Sequence, residues 1–160
     1  MRYSGLILND ISAADGLCVS FFTQGCPHRC PGCHNPETWS FDGGKEFTFD
    51  TLKEIINGLT AQGIQRNLCV MGGEPLCDEN VFLTYLVLSE VKAKVPEAKI
   101  YLWTGYTYEE LVTRAYPKVK ECLDMADFLI DGPYIAAERD VSLRMRGSRN
   151  QRIIDLSEKK

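Results

Sequence analysis

The sequence has no run of about 18 apolar residues, so it predicts no membrane-spanning helix. Near its start the only apolar run is Leu6-Ile7-Leu8, too short for a signal peptide. These two absences lead to the expectation of a cytoplasmic protein with no membrane partner. A surplus of cations is also missing: 18 Lys and Arg stand against 22 Asp and Glu, a formal net charge of −4. Affinity for phosphate backbones rests on clustered cations, so a general nucleic-acid binder is not expected. No internal repeat, low-complexity tract or long linker interrupts the 160 residues. That length suits one domain with its own core. The expected organisation is a single domain over 1–160, of which 143–160 form a C-terminal tail.

Cysteine, in contrast, is plentiful, with seven residues. In a reducing compartment a disulfide framework is not expected, which turns attention to metal binding or catalysis. Cys26, Cys30 and Cys33 follow a C-x3-C-x2-C pattern in a stretch, 25–36, too rich in Pro and Gly for helix or strand. A disulfide there would pair two thiols and strand the third. On spacing alone, two occupants fit three thiolates in one loop. One is a structural zinc held by Cys26, Cys30, Cys33 and His34, although ligands adjacent in the chain at Cys33 and His34 would strain a tetrahedral site. The other is a 4Fe–4S cluster, in which three cysteines leave one iron without a protein ligand and open to a substrate.

The remaining pattern alternates strand and helix. Residues 6–8 predict a short strand with a turn at Asn9-Asp10, and 17–23 predict a β-branched and aromatic strand running into the cysteine loop. From 26 to 45 the chain reads as irregular. Leu52, Ile55, Ile56 and Leu59 share a helical face, started by a Thr51–Glu54 capping box or by Thr48 or Asp50, with Gly63 as the stop. Further strands are expected at 67–71, 99–103 and 128–130. A helix is expected over 78–94, capped by Asp78 or Asn80, and another after the Thr107–Glu110 capping box. Such alternation predicts an α/β fold with a mostly parallel sheet and right-handed crossovers. A closed eight-fold barrel needs about 250 residues, so the expected form is a partial, open (β/α) barrel with a wide lateral mouth, suited to a macromolecular substrate.

The unusual loops all follow strands: the cysteine loop, Gly72-Gly73-Glu74-Pro75, Thr104-Gly105 and Asp131-Gly132-Pro133. In parallel α/β architecture the C-terminal strand ends share the ligand-binding edge. Gly72 and Gly73 read either as a plain turn or as a place where a ligand approaches the backbone closely, with Glu74 and free carbonyls accepting from a cationic amine.

The cysteine pattern together with Gly72-Gly73-Glu74-Pro75 resembles the radical S-adenosylmethionine superfamily. Residues 25–39, the tail at 146–152 and the small size resemble, within it, the activating proteins of anaerobic ribonucleoside-triphosphate reductase, which are glycyl-radical-enzyme activases. The resemblance covers nearly the whole chain. It implies that Cys26, Cys30 and Cys33 hold one 4Fe–4S cluster and that S-adenosyl-L-methionine chelates the open iron. Gly72, Gly73 and Glu74 would receive its amino group, and Trp103, Thr104 and Gly105 align with a strand end that contacts the cofactor in related activases. Most superfamily members carry an aromatic residue just before the third cysteine. Here Gly32 stands there, as in this subfamily, so adenine contacts fall to the backbone of Gly32, Cys33 and His34 or to other groups. The implied reaction is one-electron cleavage of the sulfonium and hydrogen abstraction from a glycine of the large reductase subunit, with a flavodoxin-type electron donor. Beyond the cluster and cofactor no catalytic residue is implied, since the cofactor carries the chemistry. Activation of another glycyl-radical enzyme, or a zinc-stapled module without catalysis, are the competing readings.

Among the remaining residues, His28 reads either as a solvated loop side chain or, with the amides near Gly32, as a donor to sulfur. Cys18, Cys69 and Cys122 read as packing, and Cys77 as packing next to the glycine turn. Asp131 reads as a cap. Arg144, Arg146, Arg149 and Arg152 read as a solvated face, a partner contact or a closure over the cofactor carboxylate.

Overall fold

The β-branched and aromatic stretches lie side by side in one sheet. In the computed structural model, which describes residues 1–160, the strands are β1 (Arg2–Asp10), β2 (Cys18–Thr23), β3 (Lys45–Glu46), β4 (Asn67–Gly72), β5 (Ile100–Trp103), β6 (Phe128–Asp131) and β7 (Arg152–Asp155). Their order across the sheet is β3-β1-β2-β4-β5-β6-β7. The four central strands, β2, β4, β5 and β6, are parallel. Antiparallel strands flank them, β1 and β3 on one side and β7 on the other. The sheet is therefore mixed, with a parallel core, because only the central strands are joined by helical crossovers.

The crossovers are α1 (Phe49–Gly58), α2 (Val81–Lys94), and the pair α3 (Tyr108–Thr113) and α4 (Pro117–Met125). Strand alternation divides the sheet into two unlike faces. Val19, Phe21, Leu68, Val70, Ile100, Leu102 and Leu129 form the large core with helix residues such as Ile55, Leu88 and Cys122. Cys18, Cys69, Tyr101 and Ile130 point the other way, where no helix packs. Only loop residues such as Ala13, Ala14 and Met145 cover that second face. No helix is long and apolar enough to cross a membrane.

Several local expectations are corrected. β1 runs to Asp10, so Asn9-Asp10 is strand rather than turn. Pairing with β2 carries it there, and Asp10 accepts from the Ser20 hydroxyl at 2.7 Å. The stretch read as irregular holds a 3-10 turn at Pro36–Thr38 and the short β3. Of the starts expected for α1 the cap is Thr48, whose capping box is closed by Thr51, and no box joins Thr51 to Glu54. That helix ends at Gly58 instead of Gly63, because the following chain wraps a buried guanidinium. Arg66 donates there to the carbonyls of Ala61 and Ile64 and to Asn9 Oδ1. Helix α2 starts at Val81, after Asn80, whose side chain makes no cap bond and is turned to the cysteine loop. The Thr107–Glu110 capping box forms as expected. Helix α4 adds a crossover element whose first residue is Pro117, a position where the missing N–H costs nothing.

The C-terminal stretch anchors in the sheet. Asp131, 1% exposed, accepts from Arg152 Nε at 3.0 Å and from the Tyr108 amide at 2.7 Å, so it caps α3 as expected of a capping residue. Arg152 also reaches Glu109 at 2.7 Å. The two carboxylates push the guanidinium pKa further above its ordinary range, Asp131 most of all. Arg152→Ala leaves a buried carboxylate short of its donors, and an expected loss of about 2 kcal/mol is checked by urea denaturation.

Candidate active site

The C-terminal ends of β2, β4, β5 and β6 open into one cavity of about 230 Å³. Cys26, Cys30, Cys33 and His34 line it from the cysteine loop, Gly72, Gly73 and Glu74 from the end of β4, and Trp103, Thr104 and Gly105 from the end of β5. Segments separated by up to about eighty residues thus meet because parallel strands end at one edge. Of the residues expected to hold the cluster or contact the cofactor, only Gly32 stays off the cavity wall. It occupies a left-handed turn (φ +78°), and a Cβ there would face Ala136 and Tyr134.

The three thiols are free and partly exposed. Cys33 Sγ accepts from the Asn35 amide at 3.4 Å, and the backbones of His28 and Arg29 beside Cys26 favour its thiolate. The amide that donates to a sulfur of this loop is that of Asn35, not one at Gly32. Burial pushes the Cys26 thiol up to about 11, against that backbone effect, and the Glu74 charge adds to the rise. A bound cation reverses that balance, since a coordinated thiol loses its proton. No three His, Cys, Asp or Glu side chains converge closely enough to hold a single metal ion. Cys26, Cys30, Cys33 and His34 are thus not gathered into a compact tetrahedral set. His34 packs at 5.3 Å against the Tyr134 ring instead.

The donor set suits an iron–sulfur cluster: three soft thiols with no fourth cysteine in one cavity. Trp39 also lines the cavity, and its buried Nε1 has no hydrogen-bond partner in the protein, which leaves a donor for a bound group.

The glycine pair has a different explanation from the one expected. A Cβ on Gly72 would strike the backbone of Phe22 and Thr23, and one on Gly73 would strike the Gly25 carbonyl. These glycines let the β4 end pack against the start of the cysteine loop. The Gly73 amide donates to Thr23 and the Glu74 amide to Gly25. The Asn80 side chain then donates to both the Gly25 and Glu74 carbonyls at 3.0 Å. Gly73→Ala forces backbone to move, with an expected cost of about 2 kcal/mol. A fall in melting temperature of about 6 °C in the apoprotein checks it.

Glu74 departs further from expectation. It is fully buried, and both carboxylate oxygens are already engaged by the protein. It therefore does not offer itself to an amine. His28 is not solvated: its Nε2 lies 2.7 Å from Glu74 Oε2, and its ring meets Tyr106 edge-on at 4.5 Å. By contrast, the Gly73 carbonyl has no donor within the protein.

Cys77 is packing. It is 1% exposed, its Sγ donates to the Glu74 carbonyl at 3.2 Å, and burial pushes its thiol up to about 12. Cys18, Cys69 and Cys122 are fully buried, as expected. None of Arg144, Arg146, Arg149 and Arg152 lines the cavity. Arg144 pairs with Asp15, and Arg146 donates to the carbonyls of Arg144 and Gln151. Closure over a cofactor carboxylate by these side chains is not seen. The tail contributes Met145, Gly147 and Gln151 to the wall, which the sequence pattern does not signal. Trp103 holds Met145 in place by donating its indole N–H to the Met145 carbonyl at 2.8 Å.

Residues 13–154 match the family described as 4Fe-4S single cluster domain. Similar curated proteins are each named anaerobic ribonucleoside-triphosphate reductase-activating protein. That of Enterobacteria phage T4 is 37% identical over 155 residues, 96% of this chain and 93% of the relative. That of Escherichia coli (strain K12) is 34% identical over 152 residues, 94% of this chain and 96% of the relative. The Haemophilus influenzae protein is 36% identical over 152 residues, with the same two shares.

Proposed function

Because this chain belongs to the 4Fe-4S single cluster domain family, we propose that it activates an anaerobic ribonucleoside-triphosphate reductase as a radical S-adenosylmethionine enzyme. The names of relatives matched over nearly their full length support this reading. The observation that carries it is the meeting of Cys26, Cys30 and Cys33 with the Gly72-Gly73-Glu74 turn in one cavity.

In this reading Cys26, Cys30 and Cys33 hold a 4Fe–4S cluster. When bound, the reduced cluster supplies the electron that cleaves S-adenosyl-L-methionine and so leads to hydrogen abstraction from a glycine of the reductase. The protein positions and shields. The unpaired Gly73 carbonyl accepts the cofactor's amino group, a task that the saturated Glu74 carboxylate leaves to backbone. Trp103, Met71 and Met145 form an apolar wall that keeps water from the reacting centre. His34, Cys33 and the neighbouring Gly32 backbone, with Thr104 and Gly105 opposite, frame the nucleoside.

The finer features belong to the same proposal. The mixed sheet, with helices on one face and the cavity on the other, is one partial, open (β/α) barrel forming a single domain over 1–160, with 143–160 as its tail. The large reductase subunit reaches the cavity from the uncovered side, a flavodoxin-type protein delivers the electron, and the protein works in the cytoplasm.

The test is iron and sulfide analysis of anaerobically purified protein, followed by reduction with S-adenosylmethionine and the reductase subunit. About four irons per chain and a glycyl radical signal in electron paramagnetic resonance are expected. An intact cluster without that radical would overturn the reductase assignment, and a colourless protein with one zinc would overturn the whole reading.

A further inference from the structure

Two groups at the cavity are left over once the cluster and the cofactor amine have their partners: the Glu74 carboxylate and the His28 imidazole. Each oxygen of Glu74 has two partners. Oε1 accepts from the Leu76 amide at 2.9 Å and from the Thr104 hydroxyl at 2.8 Å. Oε2 accepts from the Gly105 amide at 2.6 Å and lies 2.7 Å from His28 Nε2. A carboxylate has about four accepting positions, so this one is full. Hydrogen bonds to an ionised acceptor are about twice as strong as neutral ones.

These four partners come from three segments. Leu76 follows β4, Thr104 and Gly105 follow β5, and His28 stands between the first two thiols of the cysteine loop. From Cys26 to Cys33, His28 is the one side chain hydrogen-bonded to the strand ends; the backbone bonds are the Cys26 amide to the Trp39 carbonyl and the local Cys33 amide to the Cys30 carbonyl. The surroundings are shaped for the ring. A Cβ on Gly105 would strike the imidazole, so glycine there is what lets His28 reach the carboxylate. Tyr106 meets the ring on another side, and Tyr106 is itself held under the Arg114 guanidinium at 4.7 Å. Arg114 in turn donates to the Leu76 carbonyl at 2.6 Å, next to the turn that carries Glu74.

We propose that Glu74 and His28 form a clasp between the cysteine loop and the ends of β4 and β5, and that His28 is a positioning residue setting where Cys26 and Cys30 stand. At its first residue the loop is tied by the Cys26 amide to the Trp39 carbonyl at 3.1 Å; beyond that point His28 is the link between the loop and the strand ends. The clasp thus couples the placement of the cluster to that of the Gly73 carbonyl that faces the cofactor. The second half of this inference rests on the cluster assignment made above; the clasp itself does not.

The test compares wild type with His28→Ala and His28→Gln, since a glutamine amide can still donate to Glu74. In the apoprotein, amide hydrogen exchange is read at Gly105. His28→Ala is expected to exchange at least about tenfold faster, and His28→Gln to stay within about threefold of wild type. Equal rates in all three proteins overturn the clasp, whether or not any of them binds iron. In the reconstituted protein, affinity for S-adenosylmethionine is read from the change it causes in the cluster's paramagnetic signal. His28→Ala, loaded with the same iron, is expected to bind about tenfold more weakly, with recovery in His28→Gln. Unchanged affinity and an unchanged signal in His28→Ala overturn the positioning role. A wild-type protein that binds no iron sinks the proposed function, and the exchange rates still decide the clasp.

Discussion

Cys30→Ala is expected to bring iron down from about four per chain to background and to abolish the glycyl radical in the reductase. Three thiols line the cavity, and no fourth thiol backs them up. Cys77, next to the Glu74 turn, is 1% exposed and held by the Glu74 carbonyl. Cys122 is buried on α4, and burial pushes its thiol up to about 12. Cys18 and Cys69 lie in the core of the second sheet face. None can swing in to replace the lost ligand. The fold should not suffer, because the Cys30 side chain is partly exposed and makes no hydrogen bond of its own. Apoprotein stability should stay within about 0.5 kcal/mol of wild type, by chemical denaturation. Four irons in the variant would refute the ligand assignment, and loss of folding would show that the loop supports the structure rather than the chemistry.

Glu74→Ala carries the largest expected loss of stability. The substitution strands the amides of Leu76 and Gly105, the Thr104 hydroxyl and the His28 imidazole, all around one buried point. Breaking a buried charged network by removing one member costs about 3–5 kcal/mol. For a chain of this size that corresponds to a melting temperature lower by about 10 °C. Glu74→Gln should fall between, since its amide nitrogen cannot accept and two of the four bonds are lost. A melting curve for Glu74→Ala that overlays wild type would contradict the internal role of this carboxylate. The loss should appear in protein free of iron, which separates it from any effect on cofactor binding.

Much of the fold was legible because it depends on short-range periodicity. Short apolar runs in 67–71 and 99–103 mark strands whatever their neighbours, and the Thr107–Glu110 capping box names a helix start from four residues. Errors cluster where a distant partner overrides the local signal. Helix α1 stops at Gly58 because the chain then folds around Arg66, whose partner Asn9 lies 57 residues away. Asn80 looks like an ordinary cap, yet its amide serves Gly25, 55 residues earlier. The strand at Arg152–Asp155 shows only two isoleucines in sequence, and pairing with β6 makes it an edge strand.

The site divides in the same way. Three thiols at C-x3-C-x2-C, and a glycine pair with a carboxylate after a strand, are written in the chain itself, since ligand spacing and turn chemistry are properties of neighbours. Which face of Gly72 and Gly73 is crowded, where the Glu74 oxygens point, and that His28 is held rather than solvated were decided only when the strand ends came together. Hydrogen-bond partners 30 and 46 residues apart, as for Glu74 with Thr104 and with His28, leave no periodic trace. Packing of the parallel strands chooses them, by bringing several loop ends within reach of one buried carboxylate.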